Sequence, residues 1–372
     1  MKHEKALALL RTALWRTSSD ESFSVQDWEE VMGFAAMQAL DGIVPGALSL
    51  LPKAFHPTSA VKMRMIARQL QVEKANARMN GELLAFTEEL ECRSIPYVLL
   101  KGQGVASLYP APHHRTPGDI DLYVPANFLK EVACGFDAFG ATRTAETRHH
   151  INYQARGVEW ELHHCIYYFQ KDSRNLRFMH YVDEAMNQPA TYAAIGEGKV
   201  RVLPPMMNVL MLLAHMLDHF YCQGVGLRQL CDYALMLATA YKDIDQEQLI
   251  KALDELSLTK AYRVFGQLCV QYLGLSSDKL MLHPTKSDKR LAQRVMTDCL
   301  RGGNFGRNDH NGRATLWTSL TYYTRFFGRL FRYGALCPSE ALWWPLAKMK
   351  RYVTGTVQIS ETQSVLVCSD EK

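Results

Sequence analysis

Apolar residues recur at i, i+3 and i+4 along residues 4–15, 24–51 and 59–92, with Pro45, Pro52 and Pro57 between them. This spacing predicts an opening of roughly three helices. At Ile95-Pro96-Tyr97 the pattern changes to short β-type runs, YVLL (97–100) and DIDLYV (119–124), followed by two alternating stretches, HHINYQA and VEWELHHC. Helical spacing at 103–109 and 127–139 falls between these runs, so residues 93–204 read as a small mixed α/β module. After Pro204-Pro205 the helical period returns in MMNVLMLLAHMLDHFY, LRQLCDYALMLATAY, DQEQLIKALDEL and LTKAYRVFGQLCVQYL. The expected fold class is therefore α+β: a mixed sheet flanked by helical regions at 1–92 and 205–352, with 353–372 as a weakly patterned tail.

A chain of 372 residues with 48% hydrophobic content can bury a sizeable core, and its length suits two or three units that share it. The N-terminal MKHEKALALLRTALW lacks a long apolar centre and a small-residue cleavage site, and no segment runs apolar for the ~18 residues of a membrane span. A cytoplasmic protein is expected. Nine cysteines without a Cys-x-x-Cys pair, mostly among apolar neighbours, read as buried reduced thiols. The net charge of +4 excludes little, but residues 313–351 carry seven Lys/Arg against Glu340 alone, which leaves −2 on the remainder.

The chemistry concentrates in DIDLYV. Alternate side chains of a strand share a face, so Asp119, Asp121 and Tyr123 point one way and Ile120, Leu122 and Val124 the other. Two neighbouring carboxylates repel, and basic groups or a divalent cation are the natural compensation. Magnesium, which prefers hard oxygen ligands and is often held by one or two carboxylates plus substrate phosphates, suits the pair. If Arg156-Gly157 is a two-residue turn, pairing sets Asn152 opposite Glu161 and His150 opposite His163. One hairpin face then carries His150, Asn152, Gln154, Glu159, Glu161 and His163, and the other is apolar with His149 and His164 at its open end. The polar face is either solvated or a wall supplying a third carboxylate. Upstream, Leu100-Lys101-Gly102 ends a strand and leads into a short helix, offering a cation and backbone N–H groups to a phosphate. Arg115 is a second clamp or an exposed loop arginine.

The order Lys-Gly, a gap, Arg-x-x-x-Asp-Ile-Asp-Leu and a later Glu-Leu-His resembles the uncharacterised bacterial nucleotidyltransferase family of the DNA polymerase β-like superfamily. The resemblance covers residues 93–165 and extends more loosely through the helices to about 240. It implies a polymerase β-like core that moves a nucleoside monophosphate from an NTP to an unidentified acceptor, using two Mg²⁺ or alternatively Mn²⁺. By resemblance, Asp119, Asp121 and Glu161 are the metal-binding and catalytic carboxylates. Gly102 marks the turn, Lys101 and Arg115 hold phosphates, and His163 follows the third carboxylate. Gln103 stands where the superfamily has Gly or Ser, and the gap from Gly102 to Asp119 is longer than usual. Both departures raise the alternative of a catalytically impaired nucleotide-binding or partner-binding module.

His215, His219, Arg228 and Asp232 also look family-like, as contacts from the helical region. His215 and His219 lie one helical turn apart, a spacing open to zinc, but no Glu follows His215 as a zinc protease requires. Packing or substrate-side hydrogen bonding is the expectation. Arg228 and Asp232, at i and i+4, are expected either to pair or to form a wall over the nucleotide. TLWTSLTYYTRFFGRLFRYGAL places Arg325, Arg329 and Arg332 on one helical face, expected as a solvated basic stripe. Its alternative is a surface for anionic acceptors, as in a nucleic-acid-associated, antitoxin-like protein.

Overall fold

The computed structural model describes residues 3–147, 150–304 and 316–353, the last with side chains from 324 to 347. Three helices open it: α1 (Glu4–Trp15), α2 (Val25–Gln38) and α3 (Ser59–Cys92). The helical spacing over 24–51 does not give one helix. A Ser24–Asp27 capping box starts α2, Ala39 turns left-handed at φ 56°, and the chain resumes as a 3-10 helix, Val44–Leu50, with Pro45 in its first turn. The central region comprises β1 (Val98–Leu99), α4 (Gln103–Ala106), β2 (Ile120–Tyr123), α5 (Leu129–Ala138), β3 (Thr142–Glu146), β4 (His150–Ala155), β5 (Val158–His163), α6 (Asp172–Met186), β6 (Thr191–Ile195) and β7 (Gly198–Val202). Helices α7 (Pro205–Cys222), α8 (Leu227–Ala240), α9 (Gln246–Glu255), α10 (Thr259–Leu273), α11 (Lys286–Gly302), α12 (Leu316–Tyr333) and α13 (Pro338–Val353) complete the described chain. The tail expected at 353–372 and His149 lie outside the described residues, Val353 excepted.

The seven strands form one mixed sheet in the order β3-β4-β5-β2-β1-β7-β6. Arg156 at φ 47° and Gly157 at φ 75° make the two-residue hairpin turn whose twist matches its strands, and the β4–β5 register is the expected one, Asn152 to Glu161 and His150 to His163. Strands β2 and β5 run parallel, with Asp121 paired to Glu161 and Tyr123 to His163.

Each face of the sheet has its own core. Ile120, Leu122, Val124, Ile151, Tyr153, Trp160 and Leu162 pack with Met79, Leu83, Phe86 and Leu90 of α3 and with Val132 and Phe136 of α5. On the opposite face Val98, Leu100 and Tyr123 join a core that also contains α1, α2, α7, α8 and α10. The helices at the two ends of the sequence thus share one apolar interior.

Some surface expectations change. Arg325 and Arg332 are exposed, but Arg329 is buried at 8% exposure while Phe327 and Phe331 face outward, so the basic stripe of α12 is not wholly solvated. Phe326 and Leu330, buried on the same helix, decide which side docks against α7. Cys92 and Cys134 are exposed rather than buried. Among the described residues no helix is long and apolar enough to cross a membrane.

Glu340, 2% exposed, ties α13 to the rest of the molecule: its Oε2 accepts from the Gln170 N–H at 3.0 Å, just before α6 begins. Burial, with Asp218 nearby, raises its carboxyl from the usual 4.5 to about 7, while the backbone donors and Arg174 pull the other way. The folded protein therefore holds this proton more tightly than the unfolded chain, and stability falls as pH rises from 4.5 through 7. Glu340→Gln stays neutral throughout. Urea-unfolding free energies at pH 5 and pH 8 should show the variant gaining about 1–3 kcal/mol on the wild type across that interval; an unchanged gap would contradict the raised carboxyl.

Candidate functional site

Asp121 lies within β2, Asp119 immediately before it and Glu161 on the adjacent β5. The parallel register brings one oxygen from each of the three carboxylates within 4.8 Å of the others. Asp121 is 2% exposed, so its charge needs local compensation. Lys101 provides it from the end of β1, with Nζ 2.7 Å from Asp121 Oδ1. His163 provides it from β5, its Nε2–H shared between Asp121 Oδ1 at 3.0 Å and Glu161 Oε2 at 3.2 Å. Asn152 donates to Glu161 Oε1 at 3.4 Å, and His150 Nε2 lies 3.6 Å from the same oxygen.

The electrostatics follow from these contacts. Burial works against the charged form of Glu161, but the His163 hydrogen bond and the Lys101 charge hold its carboxyl down at about 2. Burial likewise works against the imidazolium of His163, yet Asp121 and Glu161 keep its pKa above the usual value. Lys101 is raised despite burial by Asp121, Asp119 and Glu161.

Behind Lys101 stands α7. An ammonium can only donate, so His215 Nε2, 2.9 Å from Lys101 Nζ, accepts. His219 Nε2 lies 3.0 Å from that same nitrogen. Burial and Lys101 depress His219 to about 4, consistent with a neutral ring there. His215 thus gives Lys101 a hydrogen-bonded support, with His219 beside it.

Gly102 adopts φ 52°, ψ −114°, and a Cβ there would meet the Asp119 carbonyl oxygen at 3.2 Å. The turn needs glycine for its backbone angle and for this close approach. The Gln103 side chain turns toward α3. It is 4% exposed, and its amide reaches Asn76 Oδ1 at 3.1 Å and Asn80 of α3.

Arg115 is a carboxylate clamp, with Asp232 as its partner. Neither an exposed loop residue nor aimed at the three clustered carboxylates, it is 4% exposed and grips Asp232 with two bonds, Nε to Oδ1 at 2.7 Å and Nη2 to Oδ2 at 2.8 Å. Tyr109 donates to Asp232 Oδ1 at 2.7 Å. Arg228 sends Nη1 to the Thr116 carbonyl at 2.9 Å, so Arg228 and Asp232 both fasten the segment that precedes Asp119.

Asn76, 1% exposed, contributes from the other side: its Nδ2 lies 2.8 Å from both the His113 and Arg115 carbonyl oxygens. Sequence reasoning missed Asn76 and Tyr109. The signal for Asn76 was present, because an asparagine sits on the apolar stripe of α3 between Val72 and Met79 and must find buried partners there.

A family profile described as "Uncharacterised nucleotidyltransferase" matches residues 24–274. No curated protein matches the chain. Among solved structures, the antigenic nucleotidyltransferase-like protein from Paracoccidioides brasiliensis aligns at 16% identity and TM-score 0.33, over 59% of this chain and 96% of that one. With its profile match spanning most of the sequence, including every carboxylate and basic group of the site above, the chain belongs to the uncharacterised nucleotidyltransferase family.

Proposed function

We propose that the protein is a magnesium-dependent nucleotidyltransferase that moves a nucleoside monophosphate from an NTP to an acceptor. The observation that carries this reading is the convergence of Asp119, Asp121 and Glu161 beside the Lys101 ammonium. Three carboxylates form a hard oxygen donor set, which fits magnesium. Bound there, the metal would polarise phosphoryl oxygens and lower the pKa of an acceptor hydroxyl.

The protein groups divide the remaining work. Asp119 and Asp121 are the principal ligands. A carboxylate held near 2 is a weak base at neutral pH, so Glu161 serves as a ligand rather than as the acceptor of the hydroxyl proton. Lys101, aimed by His215, neutralises the β and γ phosphates, while the Gly102 turn allows the backbone to approach them. Arg115 contributes by holding the Asp119 segment through Asp232 rather than by touching phosphate.

Transfer of α-phosphate label from each NTP into small-molecule, RNA and protein fractions tests the reaction. Label should move only with a divalent cation, and Asp119→Asn and Asp121→Asn should each abolish it. Lys101→Ala should lower the rate by about 10²–10³. NTP binding without any metal-dependent transfer would instead establish an impaired nucleotide-binding module.

Asn76→Ala tests the loop support. It strands two carbonyls and removes one of the two acceptors of the Gln103 amide, so a stability loss of about 1–3 kcal/mol is expected. The rate should fall with little change in the KM for NTP, since Asn76 touches no proposed phosphate ligand. Unchanged rate and stability would show that the Asp119 segment holds its place without this amide.

A further inference from the structure

We propose that Glu73, His113 and His114 form a second metal site, suited to a borderline transition cation of the zinc type and separate from the carboxylate cluster. One ligand atom from each of the three lies within 4.8 Å of the others. Glu73 projects from α3, and the histidines occupy the 3-10 turn Pro112–His114. Two imidazoles and one carboxylate match zinc, cobalt or nickel better than magnesium, which prefers an all-oxygen set.

The distances require only side-chain adjustment. Tetrahedral zinc, with bonds of ~2.0–2.1 Å, places its ligand atoms about 3.3 Å apart. His114 Nε2 and Glu73 Oε1 are already 3.0 Å apart, and the exposed His113 can rotate to complete the set.

The backbone beneath them is fixed. Asn76, one turn from Glu73, holds the His113 and Arg115 carbonyls. Gln69, one turn on the other side, places its amide 3.1 Å from the His114 ring nitrogens and 3.1 Å from the Gly42 carbonyl. Gly42 packs so closely on the loop that a Cβ would lie 2.1 Å from the His114 carbonyl oxygen. Ligands on a fixed frame with hydrogen-bonded support make a metal site of defined geometry.

A plain His114–Glu73 hydrogen bond would fasten the loop without metal, and His113 separates the two readings. Its ring makes no hydrogen bond to the described residues and only meets the His114 ring edge-on, with centroids 4.3 Å apart. The loop reaches Asp119 five residues after His114, so cation binding would brace the approach to the carboxylates.

Calorimetric titration of the full chain with Zn²⁺, in excess Mg²⁺ to occupy the carboxylates, tests the proposal, with Co²⁺ absorption as a second readout. One equivalent should bind, and His113→Ala and Glu73→Gln should each weaken it by about 10–100-fold. His113→Ala should keep the wild-type melting temperature in chelator, which excludes misfolding as the cause. Asp121→Asn should leave the zinc equivalent in place. Affinity unchanged in His113→Ala, or lost in Asp121→Asn, would overturn the second site. Nucleotidyl transfer is not needed for either outcome.

Discussion

A carboxylate inside a sheet with almost no access to water must be neutralised where it stands, and much of this molecule is arranged around that demand from Asp121. Lys101 and His163 meet it from the two strands that flank β2, so the same contacts that satisfy the charge also fix three strand ends relative to one another. Removing one partner of such a buried pair costs about 3–5 kcal/mol, far more than the net worth of the pair, because the other charge is left stranded. His215 and His219 then extend the constraint into α7, and the helical region is joined to the sheet by polar contacts as well as by its apolar core.

The second constraint is delivery of Asp119, which sits at the end of a connection with no strand or α-helix of its own after α4. Two buried devices hold it from opposite sides. Asn76 of α3 holds carbonyls, while Asp232 and Arg228 of α8 hold the Arg115 guanidinium and the Thr116 carbonyl. The length of the connection is therefore compatible with order, because its polar groups are tied down along the way.

The sequence made the acidic face, the β4–β5 register and the Lys-Gly turn readable, each for a local reason. Strand alternation sorted Asp119 and Asp121 from Ile120 and Leu122, and the Arg-Gly turn set the partners of Glu161. What escaped lacked a local signature. Strand β3 is an edge strand with mostly exposed residues and no apolar alternation, while β6 and β7 are short and joined at Gly196, whose φ of 55° marks a turn that composition alone did not flag. Helix α6 lies in the mixed α/β module beyond the two helical stretches read there. The partners of Gln103 and Arg115 escaped for a different reason: both are polar residues near a charged site, and only tertiary packing reveals that α3 and α8 bind them.

That packing also changes the meaning of the chain's departure from the superfamily pattern. A bulky amide after Gly102 would crowd a phosphate if it lay over the turn, but α3 draws it into a buried cluster with Asn76 and Asn80 and leaves the Gly102 backbone in its glycine-only conformation. Counting formal charges, Asp119, Asp121 and Glu161 give −3 and Lys101 gives +1, so the cluster is negative whether His163 is neutral (−2) or protonated (−1). A triphosphate approaching a negative cluster is repelled unless cations come with it. On the proposed reading, nucleotide and metal must each raise the affinity for the other by the same factor. The Lys101 ammonium alone is too small a counter-charge to replace a metal, so on that reading the three carboxylates would recruit it together with the nucleotide.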